Sequence, residues 1–294
     1  MKLLDYLNQS TMNQEECITL DSLQEQKLKE CLLHMYVDIM SVCKRYNLTC
    51  MLSGGSALGA IRHDGFIPWD DDMDLMMPRS DYDKFQTVFV QDMNDEYYLI
   101  SPTSSKCNYF VQVIRRGTTV KYLNQVDETG VKIDIFPIDA IHNNHIMNYV
   151  THHVLILLRG IIFSIRTYKS RDRVMRDIMA KHVVSNVMYY VAFVIGFIFS
   201  GISLSYWCRL CDRIMSSGKS ISKITIAPGR KTYLGEILPR TVFFPPRKCK
   251  FEKEEAYIPN DIKYYLTNLY DDYMTIPPIA DREKHAYVKF DLGD

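Results

Sequence analysis

Asp70, Asp72 and Asp74 are the residues whose type and spacing point most directly to chemistry in this chain of 294 residues. In an extended segment side chains two apart share a face, so the three carboxylates stand together while Asp71, Met73 and Leu75 turn the other way. Like charges on one face repel, and core packing rewards nothing in that arrangement. One or two Mg²⁺ ions (or Mn²⁺), bound jointly by carboxylates and phosphate oxygens, would offset the repulsion. An acidic solvated loop after Pro68 is the alternative, and the apolar Met73, Leu75, Met76 and Met77 speak against it.

Two flanking stretches add to this. Upstream, Met51-Leu-Ser-Gly-Gly-Ser56 reads as a strand followed by a turn into a helix. Gly54 and Gly55 let the backbone come close to a ligand, and Ser56 can cap a helix whose unpaired N–H groups attract phosphate. The same string also serves as an ordinary strand-to-helix turn. Downstream, Asp134 lies between Ile133 and Ile135 in a β-branched run that reads as a buried strand ending at Pro137. A carboxylate there needs a partner: Lys132 or Arg115, or a metal ion shared with Asp72 and Asp74. Asp139, just past the proline, is expected to cap the next turn.

The string Leu58-Gly-Ala-Ile-Arg-His-Asp-Gly-Phe-Ile-Pro-Trp-Asp-Asp-Asp-Met-Asp74 resembles the LicD family, as do Lys132-Ile-Asp-Ile-Phe-Pro-Ile-Asp139, Phe251-Glu252 and Tyr270-Asp-Asp-Tyr-Met-Thr-Ile-Pro-Pro278. That family includes bacterial phosphocholine transferases and fukutin-type ribitol-phosphate transferases on a nucleotidyltransferase fold. The resemblance implies transfer of a phospho-alcohol group from a CDP-alcohol donor to the hydroxyl of a glycan or glycolipid acceptor, with release of CMP. It further implies that Asp72 and Asp74 hold Mg²⁺, with Asp70 a weaker ligand, and that Asp134 completes the site and orients or deprotonates the acceptor hydroxyl. Gly54, Gly55 and Ser56 would cradle phosphate. Arg62, Arg115 and Thr118 would contact the donor's diphosphate or sugar, since guanidinium pairs well with phosphate oxygens; a solvated hairpin is the other reading of residues 115–119. His63 is expected to be structural. Asp271 stands where the family usually shows glycine. Two further readings stay open: nucleotidyl transfer to a small molecule or sugar, and a non-catalytic membrane-associated binding module.

The elements that must position these residues read as an α/β fold, with a mixed sheet of the nucleotidyltransferase type and flanking helices. Asp21-Ser-Leu-Gln24 opens a helix whose Leu28, Leu32, Met35, Ile39, Val42 and Tyr46 form one apolar stripe, the face that packs on the sheet. Ser80 is expected to cap a helix over Asp81–Phe89, and Tyr97–Ile100 and Phe110–Ile114 read as strands. Tyr264, Tyr265, Leu266, Leu269 and Tyr270 give a short core helix. Three segments follow: 1-142, a nucleotidyltransferase-like catalytic core; 143-212, a hydrophobic helical insertion; and 213-294, a C-terminal segment packed back on the core.

Within the insertion, residues 183–204 are uncharged and of membrane-spanning length, and Leu155–Ile165 is apolar around Arg159. A single crossing would separate the C-terminal segment from the aspartates. The insertion therefore reads as a hairpin dipping into the bilayer or as a helical insert on the domain, and flanking basic residues such as Arg171, Arg173 and Arg176 favour membrane contact. With 35 basic and 35 acidic side chains the net charge is zero, which gives no general attraction to nucleic acid. Eight scattered cysteines show no disulfide framework and suit a reducing compartment; Cys208 and Cys211 read as apolar residues on a helix. The first six residues, Met1–Tyr6, lack the apolar core of a signal peptide. The expected location is cytoplasmic, at the inner face of the cell membrane.

Overall fold

The computed structural model describes residues 18–123, 125–282 and 285–293, so the amino-terminal hexapeptide and Cys17 lie outside the described residues. The fold is mixed α/β, and its axis is β6 (Lys132–Ala140). This strand pairs in parallel with β2 (Asp74–Pro78), antiparallel with β4 (Val111–Arg115) and, past the end of β4, antiparallel with β7 (Lys223–Thr225). Among the described residues β1 (Met51–Leu52), β3 (Tyr97–Ile100) and β8 (Leu238–Pro239) complete a seven-stranded mixed sheet. The sequence ends β6 at Pro137, whereas the strand continues to Ala140. Pairing with β4 stops at Ile135 and pairing with β7 starts at Asp139, so Pro137 occupies a gap where one ladder needs no donor.

Helix α1 (Ser22–Tyr46) starts at a capping box, in which the Asp21 carboxylate accepts the Gln24 N–H and the Gln24 side chain accepts the Asp21 N–H. Its apolar stripe faces the sheet as expected: Leu28, Leu32, Met35, Ile39 and Val42 belong to the main core, and Tyr46 packs at its margin. α2 (Gly54–His63) follows β1, and α3 (Arg79–Met93) follows β2. Ser80 does not cap α3. The helix begins two residues earlier, at Arg79 with Pro78 as the N-cap, and the Arg79 side chain reaches inward to Asp139.

The insertion consists of α4 (His145–Ser170), α5 (Arg173–Ala180), α6 (Val183–Phe199) and α7 (Leu204–Met215). The apolar run over 183–204 is not one straight helix: α6 stops at Phe199, and α7 leaves at 98° after the Ser203 hydroxyl caps it. α6 packs on α4 at Gly196, where a β-carbon would lie 2.0 Å from the Ser164 carbonyl oxygen, and its Tyr189 is buried with Met175, Ile178 and Met179 of α5. Its outward face, including Val184, Val187, Val191, Val194 and Ile198, is exposed and apolar. Cys208 and Cys211 are buried with Ile161 and Ile162 in a second core between α4 and α7.

Arg79 joins insertion to sheet. Its guanidinium is bidentate to Asp139 (2.7 Å to each oxygen) and reaches Asp212 of α7 at 2.8 Å. Asp139 thus serves in an ion pair and not as the expected turn cap. The C-terminal segment adds the hairpin of β9 (Arg247–Phe251) and β10 (Glu254–Ile258), then α8 (Ile262–Tyr270), then β11 (Tyr287–Asp291), which pairs with β5 (Thr119–Tyr122). α8 buries Ile262, Tyr265, Leu266 and Leu269; Tyr264 falls off that face and is exposed, contrary to its expected place in the core.

Candidate active site

The parallel register of β2 and β6 sets Asp74 beside Asp134, and Gln112 of β4 stands opposite Asp134. Asp70–Met73 leads into β2 ahead of the strand, its Met73 carbonyl already accepting the Asp134 N–H at 3.2 Å, and keeps the period of two: Asp71 and Met73 are buried while Asp70, Asp72 and Asp74 reach the open side. Facing them is the first turn of α2. Gly54 has φ 48°, and a β-carbon on Gly55 would come within 3.0 Å of an Asp70 carboxylate oxygen, so glycines let this turn approach the carboxylates.

Ser56 does not cap α2. The N-cap is Ser53, and the Ser56 hydroxyl accepts the Asp74 N–H at 2.9 Å, tying the turn to β2. The Tyr265 hydroxyl accepts the Gly54 N–H at 3.1 Å, supplying from α8 what no N-cap side chain provides.

Residues 64–73 hang on contacts from distant parts of the chain. A β-carbon on Gly59 would sit 2.4 Å from the Gly65 carbonyl oxygen, and one on Gly65 would strike the Glu252 carboxylate, which accepts the Phe66 N–H. Lys29 of α1 donates to the carbonyls of Ile67 and Pro68. Arg282 stacks 4.0 Å over the Trp69 ring, and Arg62 donates to the carbonyls of Tyr273 and Thr275. The glycines and Trp69 of the long motif thus shape the loop that delivers the aspartates.

Asp134 has the partner expected of a buried carboxylate. Lys132 donates to one oxygen at 2.8 Å and Gln112 to the other at 2.7 Å. Burial works to lower the Lys132 pKa, but the Asp134 carboxylate holds it above the ordinary value. The three alternating aspartates behave differently. Burial and neighbouring carboxylates push Asp70 and Asp74 well above the ordinary range. Burial also raises Asp72, which His285 and Lys132 partly offset.

Asp71, on the opposite face, is fully engaged. It accepts from the Tyr287 hydroxyl at 2.9 Å and the His285 N–H at 3.2 Å, and meets His285 Nδ1 at 2.8 Å. Burial tends to raise its pKa, and His285 and Tyr287 bring it below the ordinary value. Burial likewise opposes the charge on His285, which Asp71 and Asp72 nevertheless lift to a pKa of about 9.

Two of the residues expected to contact substrate lie elsewhere. Arg115 is on the other face of β4 from Gln112 and donates to Cys31 Sγ of α1. The Thr118 hydroxyl closes the turn after β4, donating to the Arg115 carbonyl and accepting the Val131 N–H. Arg62 stays near the cluster but is committed to the 273–275 backbone. His63 is structural: it accepts from Arg62 Nε and packs edge-on to Trp69. The sequence does not mark Gln112 or His285 and marks Tyr265 only as a core residue; the strand pairing of β4 with β6 and of β11 with β5 brings the first two here. Asp271 has φ 58°, which explains why a glycine suits that position.

The donor set fits a hard divalent cation: carboxylate oxygens alone, with negative charge in excess. Among the described residues no three such side chains already converge as a complete cage. An ion held by one or two carboxylates, with its remaining ligands taken from a substrate's phosphates and water, matches that arrangement.

Residues 47–169, from just before β1 to the end of α4, match the LicD/FKTN/FKRP nucleotidyltransferase domain. This chain carries a LicD-family domain. It is also 26% identical over 251 residues to the lipopolysaccharide cholinephosphotransferase LicD of Haemophilus influenzae, an alignment covering 83% of this chain and 89% of that protein. The LicD-family match thus takes in the glycine turn, the alternating aspartates and Asp134, together with α4 of the insertion.

Proposed function

We propose that this chain transfers a phospho-alcohol group, phosphocholine being the first candidate, from a CDP-linked donor to a hydroxyl of a lipopolysaccharide or related surface glycan. The observation that carries this reading is the Asp70–Asp72–Asp74 cluster, half-buried and short of positive charge, standing across one sheet register from Asp134 and against the glycine turn of α2. The named relative is a cholinephosphotransferase, which supplies the reaction class.

In this reading Asp72 and Asp74 hold Mg²⁺, which when bound neutralises charge on the donor's diphosphate. The chain's own residues do the rest. Gly54 and Gly55 leave room for phosphate oxygens at the amino-terminal end of α2, where the Tyr265 hydroxyl takes the Gly54 N–H and the next N–H groups have no partner within the helix. Lys132 and Gln112 fix the direction of the Asp134 carboxylate. The acceptor hydroxyl oxygen attacks the phosphorus bearing the alcohol, its proton passes to Asp134, and the bond from that phosphorus to the bridging oxygen breaks with CMP leaving. Phosphoryl transfer asks mainly for this positioning and charge neutralisation.

The exposed apolar face of α6, with Arg171, Arg173 and Arg176 nearby, supports docking of the insertion on a membrane surface, which would bring the site to a lipid-linked acceptor. Incubating purified protein and Mg²⁺ with a panel of CDP-alcohols, with and without glycan acceptor, tests the transfer. CMP released from one donor supports it. Pyrophosphate released from a nucleoside triphosphate, with every CDP-alcohol inert, moves the protein to nucleotidyl transfer.

A further inference from the structure

Asp71 is the aspartate of the string that turns away from the cluster, and it is buried without being idle. Among the described residues its hydrogen bonds lead to one short stretch, 285–287, which opens β11. Two of the three bonds hold His285, one through its backbone N–H and one through Nδ1. The ring also meets the Tyr122 ring edge-on, with centroids 5.3 Å apart, and Tyr122 in turn lies under the Lys132 ammonium. Its orientation is therefore fixed from two sides. With Nδ1 committed to Asp71, the other ring nitrogen, Nε2, stands 3.7 Å from an Asp72 carboxylate oxygen, too far for a hydrogen bond and near enough to share a ligand with it. The side chain is still 38% exposed, so a substrate can reach it.

We infer that the Nε2 edge of His285 contacts the phosphate oxygens of the donor at Asp72, and that Asp71 is the positioning residue that aims it. This inference rests on the CDP-donor reading above and adds a donor contact that lies far from the aspartates in sequence. Such a contact also gives the 285–287 stretch a functional reason to fold back over the cluster: the group that completes the phosphate site is carried in from a distant part of the chain.

Two substitutions separate contact from scaffold. In His285→Asn the side-chain amide can replace Nδ1 against Asp71 while nothing replaces Nε2; in His285→Gln the amide reaches the Nε2 position. Binding of CDP-choline in the presence of Mg²⁺ is measured by titration calorimetry on full-length protein, alongside the melting temperature and CMP release. The expected result is a Kd weakened about tenfold in His285→Asn, the effect of losing one hydrogen bond to a charged group, with the Gln variant within about threefold of the parent. Asp71→Asn should weaken binding to an intermediate degree.

Parent protein that releases CMP while His285→Asn binds the donor equally well overturns the contact and leaves the transferase reading standing. Equal losses in Asn and Gln variants, matched by equal drops in melting temperature, also overturn it in favour of a scaffold role. Parent protein that neither binds nor cleaves any CDP-alcohol overturns both.

Discussion

Strand β6 carries a carboxylate near each end, and the chain treats the two ends differently. At Asp139 the buried carboxylate is matched to a partner of its own: it takes both arms of Arg79, which also reaches Asp212 and Asp83, and sheet, α3 and α7 are joined through one guanidinium. At Asp134 the local pair with Lys132 is matched too, but the three aspartates of the neighbouring segment bring more negative charge than Lys132 and His285 can neutralise. The first arrangement is what a fold does with a buried charge when it needs only stability. In the second, burial and mutual repulsion of Asp70, Asp72 and Asp74 are tolerated in the folded chain, and a bound cation would relieve them.

The largest effect on stability is expected at the matched end. Arg79→Ala leaves Asp139 buried without its partner and should cost about 3–5 kcal/mol, read by chemical denaturation. A loss below ~1 kcal/mol would mean that Asp139 has found another partner or taken up a proton, and the contrast between the two ends would weaken.

At the unmatched end the sign reverses. Asp70→Asn removes a like charge and should raise the melting temperature of the metal-free protein at neutral pH by about 2–4 °C. The pH dependence follows from the raised pKa of Asp70. A carboxylate whose pKa is raised on folding adds stability below its unfolded pKa and loses it as pH rises through the folded value. The gain in Asp70→Asn should therefore vanish in acid, below the ordinary carboxylate range, and grow toward neutral pH. A melting temperature that falls at neutral pH would give Asp70 a structural role.

The smallest effect is expected at Arg115, which the sequence groups with the donor and the fold turns toward α1. Arg115→Met should leave the KM for donor within about twofold of the parent. A KM raised about tenfold with kcat unchanged would show that Arg115 leaves Cys31 to meet substrate.

Local patterns in the sequence carried much of this architecture. The capping box and apolar stripe of α1, the strand at Tyr97–Ile100 and the alternation through Asp70–Asp74 all depend on near neighbours, and the structure has them. The acidic cluster was legible for the same reason, because a period of two needs no knowledge of the rest of the fold. What stayed hidden depends on pairing between distant segments. Ser56 reads as a cap until β2 presents the Asp74 N–H to it, and Asp139 reads as a turn residue until α3 places Arg79 beside it. The run over 183–204 has the length of one span, and composition does not show that Ser203 starts a new helix. His285 follows no local pattern, and β11 must pair with β5 before it approaches Asp71.

The most direct test of the account is CMP release from CDP-choline by the parent protein and by Asp72→Ala, measured with Mg²⁺ and again after chelation, with melting curves on the same samples. The account predicts release by the parent, loss on chelation, and loss of about a thousandfold or more in Asp72→Ala with the melting temperature kept or raised. Undiminished release from Asp72→Ala would contradict it, and so would a variant whose activity falls only because it no longer folds.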